Sequence, residues 1–385
     1  MPEFPDQSRL IRKETALGTL RALTPPEDHI GTTYVAPWKE VPTDDVIFDY
    51  AQQLADGLAP ARAEDAEAEL AQKDIMSGGT GRASIMDWAV KDHYTPSDVA
   101  RYRETLLAQA NRDGENSIIN QLPLTVGSAQ AELRQKFAKD DATRRVKLDN
   151  RVEWLIMTSV HTGGIAYNDG KVQFSVDFGR PANQHNQQPA GDHWNVGTCD
   201  PIGDVQKVVD WMFEKYGIVI DRAIASKKIL GSIWNSDRFI ARYVPGALAG
   251  STGSAPADPA YLTQGFTRQA AIDIFENATG VKFKQYDAVY RTRHRGSQTI
   301  INHRFTSDKH IYLLPNEASL ADLDDTGIGF AKTLTSPHPE GNWTPGFYEW
   351  EQETRDPWGT SRGTGVKAFP IFMHMDKTYS MQVLP

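Results

Sequence analysis

The chain has 385 residues, 39% hydrophobic and 24% charged, enough for two or three compact subdomains of ordinary globular composition. No apolar run approaches the ~20 residues that cross a bilayer, and the opening MPEFPDQSRLIRKE lacks the apolar core of a signal peptide. A formal net charge of -9 argues against a protein built to grip nucleic acid, which needs lysine and arginine to displace phosphate counterions, but allows one that lives beside DNA.

The first piece, SRLIRKETALGTLRAL, is basic and amphipathic, with Leu10, Ile11, Leu17, Leu20 and Leu23 as its apolar side. Pro25 and Pro26 break it. It reads as an arm whose apolar side a neighbour must cover. TTYVAPWKEVPTDDVIFDY, with Trp38, is extended, and its prolines suit a sheet edge. APARAEDAEAELAQKD follows as a helix of strong propensity with little apolar surface. MSGGTGRAS, with Gly78, Gly79, Gly81 and Arg82, then reads as a mobile or sharply turning excursion. PSDVARYRETLLAQANRD starts like a helix at Pro96.

A longer helix begins near Ser128. Its apolar positions Leu133, Phe137, Leu148, Val152, Leu155, Ile156 and Val160 keep helical spacing but are interrupted by the charged DDATRR, so only its ends should be well covered. Its length is on the order of 45 Å at the helical rise. Gly163 and Gly164 stop it. IAYNDGKVQFSVDF then reads as a hairpin turning at Asp169-Gly170, with Val172, Phe174, Val176 and Phe178 on one face. DPIGDVQKVVDWMFEKYG is an amphipathic helix with Ile202, Val205, Val208, Val209, Met212 and Phe213 inward and Gly217 as its stop. IVIDRAIAS is a buried strand, TRQAAIDIFENATG a helix, and FKQYDAVYRTR and KHIYLLPNE strands, while GALAGSTGSAPADPA is a loop. The aromatic tail is extended, and the alternation of Tyr379, Met381 and Val383 predicts a closing strand.

Chemistry is thin. GGTGR lacks the spaced Gly-Lys-Ser/Thr of a phosphate loop. The histidines show no metal spacing: His303 and His310 flank a turn, and His185 and His193 sit in a polar loop. A single cysteine, Cys199, excludes an internal disulfide framework, fits a reducing compartment and reads as a partly buried thiol. Asp324-Asp325 and the alternating Glu349, Glu351 and Glu353 offer carboxylates, the latter suiting a solvent face of a strand. No catalytic residue, cofactor site or metal site follows from the residues. An arm, an excursion and a helix covered at its ends instead need partners, and stable subunit contacts bury ~1,600 Å² or more.

The stretches TTYVAPWKEVP, RVEWLIMTSVHTGG, KVQFSVDFG, DPIGDVQKVVDWM, HIYLLP and PIFMHMDKTYSMQVL, in this order, resemble the phage lambda-like major capsid protein E family of tailed bacteriophages. The resemblance implies an α+β, Hong Kong 97-type capsid fold. It implies an N-terminal arm (1–42), an extended loop region (43–94) and a peripheral domain with the long spine helix and hairpin (95–199). An axial domain (200–325) and a C-terminal part of the peripheral domain (326–385) follow, the last strand pairing into the peripheral sheet. It implies pentamers and hexamers forming an icosahedral head around double-stranded DNA, no catalysis, and assembly in the host cytoplasm. Contact candidates are Leu10, Ile11, Leu17, Trp38, Gly78, Gly79, Gly81 and Arg82; spine-core candidates are Leu133, Phe137, Leu148, Val152, Leu155 and Ile156. The arm is too short for the fused scaffold of some members, so a separate scaffold is implied beside a portal and a decoration protein. A start at Met1 fits an uncleaved N-terminus. Some relatives cross-link a loop lysine to an asparagine; GGTGRAS has Arg82 and no lysine, which implies non-covalent reinforcement. A tail-tube or connector subunit is the alternative, and a hydrolase a more distant one.

Overall fold

Helix α1 (Lys13–Ala22) is the first described element in this computed structural model, which describes residues 13–49, 80–95, 97, 126–170, 172–187, 193–233, 236, 239, 268–293, 299–320, 329–355 and 358–385. A turn of π-helix (Gly31–Val35) leads into β1 (Trp38–Glu40) and β2 (Asp45–Asp49). β3 (Thr80–Ser84) pairs antiparallel with β2, and β4 (Asp87–Tyr94) follows. Gly81 and Arg82 therefore lie in a strand rather than a turning excursion. APARAEDAEAELAQKD and most of PSDVARYRETLLAQANRD lie outside the described residues, as do Leu10, Ile11, Gly78, Gly79, GALAGSTGSAPADPA and Asp324-Asp325.

Helix α2 (Val126–Thr162) runs for 37 residues, roughly 55 Å at the helical rise. Gly163, at φ +82°, ends it by donating its N–H to the Ser159 carbonyl at 2.8 Å. The hairpin β5 (Gly164–Asn168) and β6 (Gln173–Asp177) follows directly. Asn168 pairs with Gln173, so the turn has four residues rather than Asp169-Gly170 alone. The Asp169 carboxylate accepts from Val172 N–H at 2.8 Å, which leaves Val172 47% exposed in the loop instead of on the apolar face.

β7 (His185–Gln187) precedes helix α3 (Pro201–Tyr216). Asp200 caps α3 by accepting from Gly203 N–H, Pro201 opens it, and Gly217 at φ +66° closes it. Ile202, Val205, Val208 and Met212 are buried, but Phe213 is 58% exposed. One residue beyond Met212 it is rotated by about 100°, off the buried stripe. β8 (Ile220–Ala225), α4 (Lys227–Ser232), α5 (Arg268–Thr279) and β9 (Lys282–Gln285) come next. β10 (Val289–Arg293) and β11 (Ile300–Arg304) form a separate hairpin. β12 (His310–Pro315), α6 (Glu317–Leu320), β13 (Ala331–Thr335), β14 (Pro337–His338) and β15 (Thr344–Pro345) lead to the long strands β16 (Phe347–Arg355) and β17 (Trp358–Phe372), and β18 (Tyr379–Gln382) closes the chain.

Two five-stranded sheets organise these elements. In the first, β1, β13, β17 and β16 are neighbours in that order, and β4 pairs with the opposite edge of β17's first half. Gly363 and Gly365 of β17 face Trp350 and Tyr348 of β16, and the two rings lie over them where a Cβ would collide. The second sheet has the order β7-β18-β12-β8-β9. The closing strand pairs with β12 and β7, in a sheet separate from that of β16 and β17. Strand alternation marks Tyr379 and Met381 as strand residues but carries no information on which sheet receives them.

Leu148, Val152, Leu155, Ile156 and Val160 of α2 pack with Leu334, Val366, Phe369, Ile371 and Phe372 in one core. Val205, Met212, Phe275 and Met381 form the second, together with Trp194 and Cys199. β12 lies between them: Tyr312 and Leu314 enter the first core, and Ile311 and Leu313 the second. A strand buried on both faces needs an unbroken apolar run, which HIYLLP supplies.

Candidate assembly surfaces and buried charge sites

Helix α1 docks on its own subunit. Leu17 and Leu20 are 4% and 2% exposed, so this chain itself supplies the cover that the amphipathic pattern assigns to a neighbour. Arg21 donates to the carbonyls of Phe347 and Gly341, both at 3.2 Å, and Arg145 of α2 donates to the Leu20 carbonyl at 3.1 Å, capping α1. Trp38 is half-buried and meets the Phe347 ring edge-to-face at 6.0 Å.

The charged middle of α2 is buried, contrary to the expectation of ends-only cover. Arg144 donates to Asp92 at 2.7 Å, to the Tyr94 hydroxyl at 3.1 Å, to Thr364 at 3.1 Å and to Asp141. Arg362 of β17 reaches Asp141 at 3.1 Å, Glu351 at 3.2 Å and Glu349 at 3.4 Å. Glu349 is 5% exposed and the Glu351 side chain 14%, so these two glutamates do not line a solvent face, and the side chain of Glu353 lies outside the described residues. Arg362 of β17 ties them to Asp141 of α2. Arg145 bonds Asp149 at 3.0 Å one turn on. Burial raises the carboxyl pKa of Asp141 and Asp149, and the facing guanidiniums oppose the rise.

Further along α2, Glu153 accepts from Ile30 N–H at 3.1 Å, Gly31 N–H at 2.9 Å and the Tyr286 hydroxyl at 2.8 Å. A Cβ on Gly31 would collide with this carboxylate, so glycine is required by close approach. Burial pushes Glu153 up to about 7. At the helix end Arg180 donates to the carbonyls of Val160 at 2.8 Å and His161 at 3.1 Å, an interaction with the negative end of the helix dipole. Burial lowers this guanidinium to about 10. Beside it, His161 lies 4.8 Å from His310 and 6.0 Å from His185 between ring centroids, and His185 stacks on His310 at 5.6 Å. The histidines that sequence spacing leaves apart are thus gathered from three elements. Burial is the first cause lowering all three, and His310 falls to about 4. Among the described residues no group of His, Cys, Asp or Glu is arranged to hold a metal ion, and no helix is long and apolar enough to cross a membrane.

Of the spine candidates, Phe137, Leu148, Val152, Leu155 and Ile156 are 3% exposed or less, while the side chain of Leu133 lies outside the described residues, as does that of Arg82. Periodicity misses the outward apolar groups: Phe213 at 58%, Ile300 at 57%, Val289 at 41% and Trp343 at 71%. Trp343 and Asn342 hold left-handed φ values of +56° and +57° at the tip joining β14 to β15.

These buried ionic groups are bound to one another and to the backbone, and the class that the helices and sheets define is a mixed α+β fold. The model of the family described as phage major capsid protein E matches residues 17–320, and the chain belongs to that family. It is a structural protein of the phage virion, a capsid protein. No curated protein matches the chain. Among solved structures it is similar to a phage-related protein from Bordetella bronchiseptica RB50, with 12% identity, TM-score 0.49 and coverage of 96% of each chain. It is also similar to the putative capsid protein of a prophage of E. coli CFT073, with 13% identity, TM-score 0.47 and coverage of 80% of this chain and 79% of that one. The capsid of Myoviridae phage XM1 has 9% identity and TM-score 0.40, over 89% and 86%.

Proposed function

We propose that copies of this chain assemble into the pentamers and hexamers of an icosahedral tailed-phage head that encloses double-stranded DNA. The observation that carries the reading is the family match over residues 17–320. In it the fold is of Hong Kong 97 type, α2 is the spine of a peripheral domain, and residues 43–94 reach toward a neighbour. Trp38, Gly78, Gly79, Gly81 and Arg82 are contact candidates in this reading. A helix of 37 residues braced by buried ion pairs suits a wall under internal load, and a net charge of -9 suits a container that must release its DNA. The subunit does no chemistry. A separate scaffold, a portal and a decoration protein are its partners, and assembly takes place in the host cytoplasm.

Leu17 is spent within its own subunit, so arm contacts to neighbours fall to Leu10 and Ile11. Deleting residues 1–12 should leave a folded, soluble subunit that assembles poorly; normal shells from that truncation would remove the arm from the reading. The whole reading is tested by negative-stain microscopy of purified particles. Closed shells of uniform diameter are expected. Discrete small oligomers that turn over a substrate would overturn it, and rings or cylinders would point to the connector or tail-tube reading.

A further inference from the structure

The β10–β11 hairpin has two unlike faces. Tyr290 and His303 stack on one of them at 5.2 Å, and Tyr290 reaches Phe305 at 5.0 Å and packs against the first core, so that face turns inward at this pair, while Thr292 and Ile301 further along it are exposed. The register Val289↔Arg304, Arg291↔Asn302 and Arg293↔Ile300 puts these six residues on the other face, and all six are exposed. That outward face carries three guanidiniums around two apolar side chains, in a chain whose net charge is -9. Arg304 is shared with Asp287 at 3.1 Å, while Arg291 and Arg293 form no ion pair among the described residues.

The outward stripe of α3 has the opposite character. Asp210, Phe213 and Glu214 are exposed at i, i+3 and i+4, a ring flanked by two carboxylates. The nearby cations are committed elsewhere: Lys207 lies 3.6 Å from Asp204, and Lys215 sits over the Trp211 and Tyr216 rings at 4.8 Å.

We propose that the basic face of the β10–β11 hairpin docks on the acidic α3 stripe of a second copy of this chain, Val289 and Ile300 meeting Phe213 while Arg291 and Arg293 meet Asp210 and Glu214. The inference rests on the self-assembly reading above and names a contact within it. Charge complementarity selects the occupant. A phosphate backbone would satisfy the arginines but give Val289 and Ile300 nothing to cover them. The two patches differ, so the contact is head-to-tail, and a head-to-tail contact closes into a ring when the rotation permits.

The test is a charge swap in the full-length chain. Arg291→Glu with Arg293→Glu, and separately Asp210→Arg with Glu214→Arg, should each lower the fraction of protein in shells by about tenfold or more, because like charges then face each other. Combining all four substitutions should restore assembly. Sedimentation reads the assembled fraction, and a thermal melt matching wild type keeps each subunit's fold in view. Normal assembly by either double variant, or failure of the fourfold swap to recover, overturns the proposal. So does an Arg291/Arg293 variant that builds normal shells but retains less DNA, which would assign the hairpin to nucleic acid. If wild-type protein itself forms no shells, the capsid-head reading fails first.

Discussion

The two halves of α2 hold their buried charges by different means. Upstream, Arg144 and Arg145 meet carboxylates, and Arg362 of β17 reaches three of them. Downstream, Glu153 is held by two backbone N–H groups and a phenol, and Arg180 by the last carbonyls of the helix. Opposed full charges offset part of the desolvation that burial imposes on each other. Dipoles alone leave more of the desolvation uncompensated, which carries Glu153 up to about 7 and Arg180 down to about 10. The upstream half is a fixed brace and the downstream half answers to protons.

The largest expected effect breaks the brace. Arg362→Leu removes the cation shared by Asp141, Glu349 and Glu351, leaving Arg144 as the guanidinium on Asp141, and should cost about 3–5 kcal/mol by denaturant unfolding. Replacing Arg362 and Glu349 together by apolar residues should cost less than the single change. A single variant as stable as wild type would mean water reaches the site, and the contrast between the halves would collapse. Next in size is Gly31→Ala, which pushes a methyl group against the Glu153 carboxylate. A loss of about 1–3 kcal/mol is expected, with faster proteolysis near residue 30 as the contact loosens. An unchanged unfolding midpoint would show that the Glu153 contact does not hold the segment.

The downstream features were partly legible in sequence and the upstream ones were not. Gly163 and Gly217 announce the helix ends because capping is local chemistry, and KHIYLLPNE announces a strand by composition. DDATRR looks solvated because its partners, Asp92 and Tyr94 on β4 and Thr364 and Arg362 on β17, are remote in the chain. One sequence holds no record of that pairing. The histidine group fails for the same reason, since His161, His185 and His310 meet only when the α2 terminus docks on the second sheet. Phe213 differs from Met212 by one step of helix rotation, finer than a periodicity argument can place.

The smallest effect gives the comparison its sharpest form, because the two downstream groups pull in opposite directions. The folded pKa of His310 lies at about 4, below its ordinary 6.5, so its contribution is fully present above 6.5 and is lost as pH falls through about 4. Burial comes first among the causes, and His161, His185 and Lys309, which face it, also disfavour a further proton. The Ser307 hydroxyl bonds the ring at 2.9 Å, the Tyr312 ring stacks on it, and Arg180 lies beyond His161. Glu153 has a folded pKa of about 7 against an ordinary 4.5, so its contribution is present below 4.5 and is lost as pH rises through about 7. Between these limits the imidazoles make the fold more stable as pH rises and Glu153 makes it less so. His310→Gln should remove part of the first slope. From about pH 5 to about pH 7.5 the variant should gain on the order of 1 kcal/mol less than wild type, a figure discounted for partial exposure. A parallel pair of stability curves would mean that His310 takes its proton as freely in the fold as outside it, and that the helix end is braced as firmly as its middle.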